Sequence, residues 1–74
     1  MTYDHRKLGQ LIGRLRTERG LTQEVLAGLA GIHRPHLTRI ENGRKSPTMD
    51  TLWRIADALG MPLSELIRLA EKSP

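Results

Sequence analysis

Arg34, Pro35, Thr38, Arg39 and Asn42 fall on one side of a helical projection of residues 33–42. Leu37 and Ile40 fall on the other, together with Ile32 just before the helix. One side can pack and the other can form hydrogen bonds. An arginine fork matches the two acceptors that guanine shows in the major groove, and each good pair discriminates by about 1–3 kcal/mol. Arg34 is the leading candidate to read a base edge, Arg39 the second and Thr38 the third. Pro35 in a first helical turn loses nothing, because its missing N–H would have no intrahelical partner. It sets the helix start near Ile32–His33, and its ring is a weaker candidate for contact with a thymine methyl. A polar face alone also suits a solvated helix, so the neighbouring residues decide.

Those neighbours are phosphate chemistry. Gln23 opens the preceding helix, where its amide and the free N–H groups of a helix start suit an anion. Thr22, Arg44 and Lys45 are further candidates, and Asn42 offers backbone N–H groups at the end of the reading helix. Of the 74 residues, the first 54 hold ten Lys or Arg against five Asp or Glu. The last twenty hold two against three. The basic excess gathers around the candidate reading helix, as expected of a polyanion binder.

Two short helices must position these groups. The first opens at Thr22-Gln23-Glu24, carries Leu26, Ala27 and Ala30 inward and stops at Gly31. Thr22 suits an N-cap, although Val25 stands where a Glu would complete a capping box. The second passes through Leu37 and Ile40 to Asn42-Gly43. Two helices joined by a short turn containing glycine form a helix-turn-helix, whose second helix enters the major groove. Thr22-Gln23-Glu24, Leu26-Ala27, Gly31 and Ile40-Glu41-Asn42-Gly43 resemble the Xre/Cro-like phage-repressor family over roughly residues 5 to 70.

The resemblance implies several roles. Gln23 would bond a backbone phosphate. His33, Arg34 and Pro35, at the N-terminal end of the reading helix, would sit deepest in the groove. His33 departs from the usual Ser or Thr at that cap. Arg16 would pair with Glu41, largely buried, as a structural rather than a functional pair. Members dimerise, which matches a pseudo-palindromic operator. The dimer surface is expected from the last two helices, through Leu63, Ile67 and Trp53. Trp53 reads equally as core edge. The short chain resembles the controller proteins of restriction-modification systems; small phage or chromosomal repressors and antitoxins are the alternatives. An antitoxin would need a co-encoded toxin. The same fold also serves as a protein-interaction module.

The remaining elements follow from periodicity. Asp4 caps a first helix, with Tyr3 and Leu8 at the spacing of a hydrophobic staple. Leu8, Leu11, Ile12 and Leu15 form its apolar stripe, and Gly20 ends it as a left-handed cap. Gly9 and Gly13 are read as tolerated helix glycines, each costing about 1 kcal/mol relative to Ala. Thr48 caps a fourth helix through Leu59, with Leu52, Ile55 and Ala56 inward. A fifth spans about Leu63–Glu71, and Ser73-Pro74 is a frayed tail. The expected class is all-α, a five-helix, phage-repressor-like single domain over 1–74.

Composition excludes other classes. There is no cysteine, so no disulfide and no thiolate metal site. His33 and His36 have a permissible metal spacing but no convincing third ligand, so no metal is expected. No catalytic triad, paired-carboxylate site or phosphate-binding glycine loop appears, and neither enzyme activity nor a cofactor is expected. No run approaches the ~18 apolar residues of a membrane span, and no signal peptide is present; a cytoplasmic location is the expectation. Nor is a ligand pocket or sensory domain expected at this length. Val25 and Leu29, one turn apart, are read as padding the edge of a small core, with a partner surface as the alternative.

Overall fold

A computed structural model of the chain describes residues 3–72. Ser73 and Pro74 lie outside them. Five helices follow one another: α1 (His5–Glu18), α2 (Gln23–Ala30), α3 (Arg34–Glu41), α4 (Met49–Ala58) and α5 (Leu63–Lys72). No strand occurs among the described residues. Caps set the helix starts. The Asp4 carboxylate accepts from the Arg6 N–H, the Thr22 hydroxyl from Val25 N–H and the Thr48 hydroxyl from Thr51 N–H. Tyr3 and Leu8 line one shallow groove, and the Tyr3 hydroxyl lies 2.8 Å from Ser46 Oγ, tying the chain entry to the loop after α3.

The core is aliphatic and draws on every helix. Leu11, Ile12, Leu26, Leu37, Ile40, Ile55 and Leu66 are essentially inaccessible. Burying one such side chain contributes about 1.5–3 kcal/mol. Leu21, Ile32, Leu63 and Ile67 pack half-buried around them. The inward residues are those of the helical stripes. The edges differ from expectation. Val25 and Leu29 are 48% and 62% exposed, so neither pads the core, and Trp53 stands half exposed at 56%. The i, i+4 spacing puts Val25 and Leu29 together on the outer face of α2. α4 stops one residue early, with Leu59 as its C-cap.

The α1–α3 contact corrects a second expectation. A Cβ built on Gly9 would stand 2.0 Å from the Ile40 carbonyl oxygen, and one on Gly13 would stand 3.1 Å from Glu41 Oε1. Gly9 and Gly13 are therefore not merely tolerated. Gly9 lets α1 lie against the backbone of α3, the helix it packs against most extensively, and Gly13 leaves room for the Glu41 side chain.

Candidate nucleic-acid interface

The α2–α3 turn is built by Gly31, at φ +71°, a conformation that side chains with a Cβ rarely adopt. Its N–H donates to the Gly28 carbonyl and that of Ile32 to the Ala27 carbonyl, closing α2. Half-buried Ile32 then pins the turn to the core. α3 begins one residue later than expected. His33 is its N-cap and makes no side-chain cap hydrogen bond. Pro35 occupies the first turn. At the far end Gly43 (φ +75°) lets the Arg44 N–H reach the Arg39 carbonyl.

Buried Leu37 and Ile40 fix how α3 is turned. His33, Arg34, Pro35, Arg39 and Asn42 are consequently exposed, and Thr38 is half-buried. Arg44 and Lys45 are exposed in the following loop. None of Arg34, Arg39, Arg44 and Lys45 has an ion-pair partner among the described residues. Their charge remains available for an anionic ligand.

A continuous hydrogen-bonded chain runs beneath this face. Arg16 grips Glu41 with two bonds, Nε to Oε2 at 2.8 Å and Nη2 to Oε1 at 3.1 Å. The pair is largely buried, with side-chain exposures of 15% and 7%. Arg16 Nη1 also donates to the Leu21 carbonyl at 2.8 Å, holding the entry to α2. Gln23 Nε2 donates to Glu41 Oε1 at 3.0 Å, and Thr38 Oγ1 to Gln23 Oε1 at 2.7 Å. Two expected ligand contacts are thus partly committed inside the protein: one N–H and the carbonyl of Gln23, and the hydroxyl of Thr38. One Gln23 N–H stays free, because the amide carries two. Thr22 uses its hydroxyl as the α2 cap.

Sequence reasoning missed Arg6. The stem of its side chain lies against Gly43, where a Cβ would come within 2.7 Å of Arg6 Cγ, while its Nε pairs with Asp4 Oδ1 at 3.4 Å. The two segments are 37 positions apart, and no local pattern links them. Trp53, Leu63 and Ile67, by contrast, line one shallow groove with Pro62 and Arg68, away from α3.

Among the described residues no helix is long and apolar enough to cross a membrane. The helix-turn-helix family model matches residues 12–66. The chain is 42% identical over 72 residues to the HTH-type transcriptional regulator y4dJ of Sinorhizobium fredii, covering 96% of this chain and 94% of that protein. It spans half or less of several longer relatives, 50% of one and 42% of another. The restriction-modification controller protein C.AhdI of Aeromonas hydrophila superposes with a TM-score of 0.82 at 36% identity, over 85% of this chain and 96% of that one. The controller protein C.Esp1396I, solved as a tetramer with its natural 35 base-pair operator, superposes with a TM-score of 0.87 at 25% identity, over 97% and 95%. The five helices, the turn at Gly31 and these matches agree: the chain belongs to the Xre/Cro-like helix-turn-helix family of transcriptional regulators.

Proposed function

We propose that this protein binds a pseudo-palindromic operator in double-stranded DNA as a homodimer, with α3 in the major groove. The exposed α3 face, carrying Arg34 and Arg39, which are unpaired among the described residues, above a buried Leu37–Ile40 stripe, is the observation that carries the proposal. Arg34 and Arg39, with His33 and Pro35, meet base edges. Arg44, Lys45, Thr22, Asn42 and the free N–H of Gln23 meet phosphates. The groove of Trp53, Leu63 and Ile67 forms the twofold contact, since one small module makes a modest DNA interface alone. Similarity to C.AhdI and C.Esp1396I supports a controller role within a restriction-modification system.

One observation favours a protein-interaction module instead: the exposed apolar pair Val25 and Leu29 on α2. Selecting bound sequences from a random DNA pool separates the two. A regulator enriches a two-half-site sequence with centres about 10 base pairs or a multiple apart. A protein-interaction module enriches nothing and shows no salt-dependent retardation of duplex DNA.

A further inference from the structure

We propose that Thr38 reads the exocyclic amine of a base, N6 of adenine or N4 of cytosine, because the protein itself consumes its only proton. This rests on α3 lying in the major groove. The polarity follows from donor and acceptor chemistry alone. Arg16 can only donate, and ionised Glu41 can only accept. Glu41 Oε1 therefore faces the NH₂ end of Gln23, at 3.0 Å, which settles which way that amide points. Its carbonyl end must then face Thr38, at 2.7 Å, and a carbonyl can only accept. The Thr38 hydroxyl supplies the proton. The other acceptor within reach, the Arg34 carbonyl at 3.1 Å, is also a group of the protein, one turn back on α3. Either choice spends the proton on the protein's own acceptor.

What remains for a ligand is a lone pair on Thr38 Oγ1. A lone pair cannot bond a phosphate oxygen, guanine O6, thymine O4 or a purine N7, which are all acceptors. It can accept from the amine that each base pair displays in the major groove. Thr38 is thereby a specificity residue of opposite polarity to the arginines beside it, which only donate. Glu41 and Gln23 act through it as positioning residues.

The test uses the intact protein and its selected operator, with single functional groups deleted from the bases. The Thr38→Val variant keeps the shape and removes the hydroxyl. At one position per half-site, deleting the amine (purine for adenine, or 2-pyrimidinone for cytosine) should weaken the parent about tenfold. The same deletion should leave Thr38→Val binding unchanged, and Thr38→Ser should respond like the parent. Coupling of Thr38→Val instead to loss of N7, O6 or O4, or to a neutral methylphosphonate, overturns the inference, since each of those needs a donated proton. So does the absence of coupling to any group. Failure of the parent to select any sequence is a separate outcome, which removes the DNA-reading role of α3 and this inference with it.

Discussion

Gly9 meets the carbonyl oxygen of Ile40 so closely that a Cβ there would stand 2.0 Å from it. Helix propensity alone favours Ala over Gly by about 1 kcal/mol. At Gly9 the backbone of α3 must retreat to admit a methyl group, and the whole reading helix shifts with it. Gly28 in α2 is the control, with nothing within 4 Å of its Cβ position. Gly9→Ala should lower the melting temperature, whereas Gly28→Ala should raise stability by up to about 1 kcal/mol. Equal effects of the two, measured by thermal unfolding, would contradict the close approach.

Arg16 and Glu41 make the second structural prediction. A largely buried pair adds little net stability, but removing one partner strands the other at a cost of about 3–5 kcal/mol. Arg16→Ala should therefore reduce stability severely. Replacing both residues with apolar side chains of similar volume should recover much of the loss. An Arg16→Ala protein as stable as the parent in chemical denaturation would refute the role.

Arg34 and Lys45 divide reading from positioning. Arg34→Ala should cost about 1–3 kcal/mol on operator DNA and relax preference at one position per half-site. Lys45→Ala should weaken all sequences alike and reduce the slope of log affinity against log salt by about 0.9. Equal losses on specific and random DNA for Arg34→Ala would reverse that division.

Assembly turns on Ile67. A Glu placed beside Trp53 and Leu63 would have to be desolvated in the proposed subunit contact. Ile67→Glu should remain helical, sediment as a monomer and lose cooperative operator binding while keeping weak, salt-sensitive binding to random DNA. A parent that sediments as a strict monomer at micromolar concentration, yet binds the operator tightly, would contradict the dimer.

Asp4 sets a pH dependence at the start of α1. The Arg6 backbone N–H, and then the Arg6 charge, hold its carboxyl below the ordinary value of 3.8. The unfolded chain therefore takes up the proton first as pH falls. The cap contributes fully above about 3.8 and is lost as pH drops through the lower folded value. A carboxyl titration followed by NMR should show a midpoint below 3.8, and Asp4→Ala should flatten that part of the acid limb of stability.

The sequence by itself determined the helices, their inward stripes and the α2–α3 unit. Those follow from local physics: apolar residues three and four apart, Asp4, Thr22 and Thr48 as caps, and Gly31 at a positive φ. It also marked Arg34 and Arg39, because Leu37 and Ile40 allow only one face of α3 to turn outward. The tertiary structure decided whatever depends on approach between distant segments. It made Gly9 necessary, set Gly13 against the Glu41 carboxylate, laid the stem of Arg6 against Gly43, and left Val25, Leu29 and Trp53 exposed. It also joined Arg16, Glu41, Gln23 and Thr38 into one chain of bonds. Helical periodicity reports which side of a helix is apolar. It carries no information on how near two backbones come, or on which end of an amide faces a carboxylate, and those two relations place α3 and fix the polarity of Thr38.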